Sequence, residues 1–178
     1  DILINGLDYM IEALDRLGKS ASHPTGADER AVKYATLHLA SGVELVLKSR
    51  LLQGHWTYVF NDMNRANDVD LKSGDFVSIS AERLPARLKQ LCGIDIGKQA
   101  DSTFKSLRRL RNRAEHFVLG SNVHAVESVA RQCIPHVVDF IASYCTESFD
   151  DFEVSRLLTE LKERLIDVTN ALDVASSI

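Results

Sequence analysis

An all-α fold is what this sequence predicts, on two observations. Apolar residues recur at i, i+3 and i+4 over most of the chain, the spacing of a helix with one buried face. Residues that interrupt helices are scarce, with three prolines and nine glycines among 178 residues. That length is enough for one domain with a real core. Residues 1–178 contain no internal repeat and no low-complexity linker, so a single bundle of five or six helices is expected.

The elements follow in order. Ile4, Leu7, Ile11, Leu14 and Leu17 form a stripe over residues 2–17, and Gly18 with the stretch SASHPTG is expected to end it. Asp28 stands at the N-cap of a long helix whose apolar face holds Ala35, Leu39, Val43, Val46 and Leu47. Gly54 is expected to close that helix. Residues 55–79 have no clear period. HWTYVF is aromatic and partly β-branched, and DFVSIS has the composition of a short strand. Both are expected as irregular or short helical pieces packed on the bundle.

A short helix should begin at Ser80 and end near Gly93, with Pro85 awkwardly beyond its first turn. A helix over 99–118 follows, stopped by Gly120. NVHAVESVARQCIPHVVDFIASYC reads as another long helix, expected to bend near Pro135. SFDDFE supplies an acidic first turn, which the helix dipole favours, to a final helix of about two dozen residues.

Composition narrows the function. Hydrophobic residues make up 45% and charged residues 26%, the mixture of a globular protein. A net charge of −4 and a pI near 5.9 argue against bulk, sequence-independent nucleic-acid binding but leave room for a local basic site. No apolar run approaches about 18 residues, so no membrane span is expected. DILINGLDYM carries acids and no basic region, unlike a secretory signal. Cys92, Cys133 and Cys145 are odd in number and lack C-x-x-C spacing. They are expected to be reduced thiols, mostly buried, in a cytoplasmic protein.

Several sites are set aside. GIDIGKQ, residues 93–99, has one residue too few between its glycines for a phosphate loop, and Gln99 where Ser or Thr should bind magnesium. It is expected to be a turn between helices. His38, His55, His124 and His136 do not pair at i, i+4 and have no accompanying acidic cluster, so neither a metal nor another cofactor is expected. Glu44 and Lys48 have the spacing of a helix-surface ion pair. Trp56 and Tyr58 could stack on a base, but core packing is the expected role.

LRRLRNRAEHF, residues 107–117, is different. It places Arg108, Arg109, Arg111 and Arg113 beside His116 in an acidic chain. At about 100° per residue, Leu107, Leu110, Ala114, Phe117 and Val118 share a buried stripe. Arg108, Asn112 and His116 stack on the opposite side, with Arg111 and Glu115 at its margin. Arginine grips a phosphate bidentately. Imidazole moves protons near neutral pH. Asn can orient either. Together they suit attack of an RNA 2′-hydroxyl on its neighbouring phosphate. The same residues would equally form a solvated basic helix end that favours the C-terminal dipole.

The segment RNRAEH resembles the signature of the HEPN superfamily (higher eukaryote and prokaryote nucleotide-binding domains). That signature is an arginine, a polar residue, a few more residues and a histidine, late in a helical bundle. Arg111 matches the arginine, Asn112 the polar neighbour and His116 the histidine. The earlier stretch GVELVLKSRLLQGHW is similar to a long helix of many bacterial HEPN-like proteins. The resemblance covers roughly residues 30–145 and leaves out the last helix.

It implies a metal-independent endoribonuclease, an effector in bacterial defence or toxin–antitoxin control, acting as a homodimer that brings two motifs together across a cleft. A neutralising antitoxin or a sensor would be its partner. His116 would be the general acid/base, Arg111 would bind and polarise the scissile phosphate, and Asn112 would orient Arg111 or the substrate. Arg108 and Arg113 would add RNA phosphate contacts. Other members bind RNA or proteins without cleaving, which gives the alternative. In one toxin group a tyrosine two positions after the histidine is modified by a partner enzyme. Val118 occupies that position here, so that modification is not implied.

Overall fold

Helix α1 spans Ile2–Ala21 and α2 spans Glu29–Gly54, and the two pack side by side. The computed structural model describes residues 1–21, 28–116, 123–145 and 151–175. Leu7, Met10, Leu14 and Leu17 of α1 are fully buried, with Ile11 close behind and Ile4 half-buried. Two glycines permit the close crossing. The Gly6 carbonyl oxygen lies 2.7 Å from where a Cβ on Gly42 would stand. Gly18 does not break α1. A lone glycine costs a helix only about 1 kcal/mol, and here Leu17 on one side and Ser20 on the other are both buried.

Asp28 caps α2 as expected, accepting from the backbone N–H of Arg30 at 2.9 Å and of Ala31 at 3.3 Å. Ala35, Leu39, Val43, Val46 and Leu47 are all buried. Helix α2 is the axis of the bundle and touches α1 and three of the helices that follow it. It ends at Gly54, where His55 turns extended.

The segment after α2 holds two 3-10 turns, Trp56–Val59 and Met63–Arg65, and a short helix α3, Asp68–Ser73. Phe60 and Ser78 form an isolated antiparallel bridge, flanked by hydrogen bonds from Ile79 N to Val59 O at 2.8 Å and from Asn61 N to Val77 O at 2.9 Å. Among the described residues this is the extent of β pairing and no sheet forms. Trp56 and Tyr58 are partly buried against the core.

Helix α4 spans Leu84–Cys92. It starts four residues later than expected, because Ser80–Arg83 forms a turn closed by Arg83 N to Ser80 O at 3.0 Å. Pro85 therefore sits within the first turn, where no backbone donor is needed. Buried Arg87 donates to the carbonyls of Tyr58, Phe60 and Asn61 at 3.1, 2.6 and 3.3 Å, fastening the irregular segment to α4. Gly93 and Gly97, at φ 69° and 80°, make the expected turn into α5, Gly97–His116.

Leu107 and Ala114 of α5 are buried as expected. Leu110 is only half-buried. It stands about 60° round the helix from Leu107, at the edge of the stripe. The expected burial of Phe117, the position of Val118 and the stop at Gly120 lie outside the described residues. Helix α6, Val123–Tyr144, carries Pro135 in its interior. Helix α7, Phe152–Ala175, opens with the Asp151 carboxylate accepting from Glu153 N at 2.8 Å and lies along α1.

The described residues thus hold seven α-helices, five of them long: an all-α bundle. One core cluster runs from α1 to α7. No helix among the described residues is long and apolar enough to cross a membrane. The three cysteines are free thiols, Cys133 and Cys145 buried and Cys92 half-buried. Burial pushes the Cys133 thiol up to about 12, which leaves it inert.

A basic groove between α2 and α5

Helix α5 offers no acidic neighbour to two of its arginines, Arg108 and Arg109. The positions within one turn of Arg108 are Phe104, Lys105, Arg111 and Asn112, and those of Arg109 are Lys105, Ser106, Asn112 and Arg113. None is acidic, so the i, i+4 pairing that several other cations of the chain make has no partner here. Elsewhere that pairing is regular: Arg16 with Glu12 at 2.7 Å, Lys72 with Asp68 at 2.5 Å, Arg156 with Glu160 at 3.2 Å.

The unpaired cations face a cavity of about 650 Å³ between α2, the Ser80–Leu84 turn and α5. One wall is cationic and polar: Lys105, Arg108, Arg109, Arg111 and Asn112. The other presents two carboxylates, Glu44 from α2 and Glu82 from the turn. Val43, Leu47, Leu84, Phe104 and Leu107 contribute the buried apolar base. A volume in this range suits one small ligand or a short piece of a longer one.

The two carboxylates are not equivalent. Glu44 Oε1 lies 2.5 Å from Lys48 Nζ, which also donates to Ser78 Oγ at 2.7 Å. The Lys48 side chain is only 8% exposed, so this is an interior tie rather than the surface pair expected from the spacing. It anchors α2 to the strand-like segment before the turn. Glu82 is exposed and makes no hydrogen bond or ion pair with the described residues. Lys105 is held by Asp101 at 2.5 Å, while Arg108 and Arg109 have no such carboxylate among the described residues.

Arg111 leans along its own helix. Its Nη2 lies 2.8 Å from Glu115 Oε1, and the other Glu115 oxygen lies 3.9 Å from His116 Nε2. One carboxylate therefore touches both the arginine and the imidazole. A guanidinium has five N–H donors, so Arg111 keeps others for a ligand.

Of the predicted site residues, Arg108, Arg111 and Asn112 come together on the groove wall. His116 and Arg113 do not line it. The His116 side chain is 71% exposed, at the end of α5, about one turn beyond Asn112. The acidic wall was not foreseen: Glu44 shows in the sequence only as half of an ion pair, and Glu82, in AERLP, carries no periodic or motif signal. Among the described residues, no three His, Cys, Asp or Glu side chains are placed to share a metal ion.

Three other histidines have local contacts. His55 Nδ1 is 2.8 Å from Thr57 Oγ1, and the His136 ring meets Phe104 edge-on. His38 meets Tyr9 edge-on at 5.3 Å, and its Nδ1 is buried without a hydrogen bond. Burial, with Arg16 nearby, lowers its pKa below the usual histidine value. No protein-family model, curated protein or solved structure matches this chain.

Proposed function

We propose that the chain is a metal-independent endoribonuclease of HEPN type that binds single-stranded RNA along the α2–α5 groove. The observation that carries the reading is the placement of Arg108, Arg111 and Asn112 on one groove wall, with an exposed His116 one turn further along the same helix. The arginines supply fixed positive charge where the backbone phosphates run. Arg111 and Asn112 hold the scissile phosphate. His116 moves the proton.

The step balances without a co-reactant. The 2′-hydroxyl loses its proton to a general base, its oxygen bonds to phosphorus, and the 5′-oxygen of the next nucleotide leaves with a proton from a general acid. The products are a 2′,3′-cyclic phosphate and a 5′-hydroxyl. Acid and base are needed on opposite sides of the phosphate. A two-fold dimer meeting near the end of α5 supplies an imidazole from each copy, using the same patch twice. Defence or toxin–antitoxin control, with a neutralising partner, is the setting this reading implies.

A second reading is favoured by one observation: His116 lies outside the groove. A non-catalytic RNA-binding module would need the arginine wall and not the imidazole. The two readings separate in gel-resolved cleavage of RNA and matched DNA by wild type, His116→Ala and Arg111→Lys, each checked for helicity and mass. The nuclease reading expects His116→Ala to be slower by roughly 10²–10⁴-fold. Arg111→Lys is also impaired, because an ammonium lacks the planar fork, and DNA resists for want of the 2′-hydroxyl. RNA binding with no cleavage by wild type selects the module.

A further inference from the structure

Phosphate binding explains only one wall of the groove. Glu82, without an ion-pair partner among the described residues, lines a site for an anionic polymer and repels its backbone, so it suits a part of the ligand that donates hydrogen bonds. We infer that the groove is a nucleobase subsite and that Glu82 selects an unpaired guanine. The inference rests on the RNA-binding reading above and deepens it.

Phosphates favour the wall of Arg108, Arg109 and Arg111. Sugar and base then extend across the cavity toward the turn, over the apolar base formed by Val43, Leu47 and Leu107. A concave site of about 650 Å³ accepts a splayed nucleotide rather than duplex, whose bases are stacked and paired. At the far side two carboxylates wait. Glu44 is committed to Lys48 at 2.5 Å. Glu82 has both oxygens open, on a turn held by the Ser80–Arg83 hydrogen bond at 3.0 Å.

An open carboxylate offers two parallel acceptors and no donor. Guanine alone among the four RNA bases presents two adjacent donors on one edge, N1–H and the 2-amino group. Adenine and cytosine each set a donor beside an acceptor, which the second carboxylate oxygen would oppose. Uracil flanks its single N–H with two carbonyls. The same logic lets Glu and Asp accept from a base amino group in other settings.

The test is fluorescence-anisotropy binding of short oligoadenylate RNAs with one central guanosine, with inosine at that position, or with neither. The protein is the full chain carrying His116→Ala, so that binding is read without cutting. His116 does not line the groove. The guanosine oligomer should bind at least about 10-fold tighter than oligoadenylate, with inosine between, since it keeps N1–H and loses the 2-amino group. Adding Glu82→Gln should abolish the guanosine preference and leave oligoadenylate affinity equal or slightly higher, because a repelling charge is gone. Glu82 is exposed, so the substitution does not threaten the fold. Equal binding of guanosine and adenosine oligomers, or a preference that survives Glu82→Gln, overturns the inference. Glu82-dependent guanine binding by a chain that never cleaves upholds it and rejects only the nuclease. Cleavage without any Glu82-dependent preference rejects only this subsite.

Discussion

Replacing Gly42 with alanine should destabilise the protein even though alanine is the better helix former. Inside α2 the exchange gains about 1 kcal/mol of helix propensity. Against that, the new Cβ would stand 2.4 Å from Met10 Cγ, 2.7 Å from the Gly6 carbonyl oxygen and 3.2 Å from Met10 N. Ordinary contacts begin near about 3.5 Å. Met10 is fully buried and cannot swing into solvent, and the Gly6 oxygen is backbone. The helices must separate, loosening Leu7, Val43 and Val46 together. A contact of 2.4 Å falls at the upper end of the about 1–3 kcal/mol that overpacking costs, which leaves a net loss of about 1–2 kcal/mol after the helix gain. For a chain of this size that is a fall of roughly 2–8 °C in Tm. The matched control is Gly18→Ala, whose Cβ would meet only Val168 Cγ2, at an ordinary 3.6 Å. That variant should gain about 0.5–1 kcal/mol. Thermal and urea unfolding followed by circular dichroism reads both. A Gly42→Ala protein as stable as wild type would refute the close crossing of α1 and α2.

Other outcomes follow from single contacts. Arg87→Met should cost about 2–4 kcal/mol, because it strips charged donors from three carbonyls and strands the buried one of Phe60. Amide exchange at Asn61 and Ile79 should accelerate before that of α1. His38 has a lowered pKa in the fold, so below the usual value of 6.5 the unfolded chain takes up the proton more readily and stability falls as pH falls. The loss of Tm between about pH 7.5 and about pH 5.5 should therefore be smaller in His38→Gln than in wild type. Arg108→Ala should weaken RNA binding about equally across sequences and lower the salt slope by about 1, as the loss of one phosphate contact does.

The sequence disclosed what repeats and hid what is decided by tertiary partners. The stripe Ala35, Leu39, Val43, Val46 and Leu47 is periodic, and its burial could be read directly. Asp28 and Gly93 act through local backbone chemistry, and both stand where they were expected. Gly18 reads as a break but is not one, because its cost is small beside the packing of its neighbours. Ser80–Arg83 reads as helix in the sequence because nothing local distinguishes a tight turn from a first helical turn. Lys48 shows the limit most clearly. Its spacing from Glu44 gave the ion pair, but only the fold brings Ser78, thirty residues away, to the same ammonium and takes it out of water.

The site divides the same way. Arg108, Arg111 and Asn112 share a groove wall because helical geometry sets them on one side of α5. That geometry could not say what stands opposite. Glu82 arrives from a turn with no motif, and that it has no ion-pair partner among the described residues is visible only in the fold. His116 shares the helix but not the groove, since α5 reaches its end just past the cavity.

The central claim is that this chain cleaves RNA through its own 2′-hydroxyl with His116 moving a proton. The most direct measurement is the chemistry of the ends produced from a defined RNA in chelator, by wild type and by His116→Ala. The account predicts 2′,3′-cyclic phosphate and 5′-hydroxyl termini from wild type, formed roughly 10²–10⁴-fold more slowly by the variant. Termini formed equally by both proteins, or 5′-phosphate ends, or cleavage that stops with chelator, would contradict it.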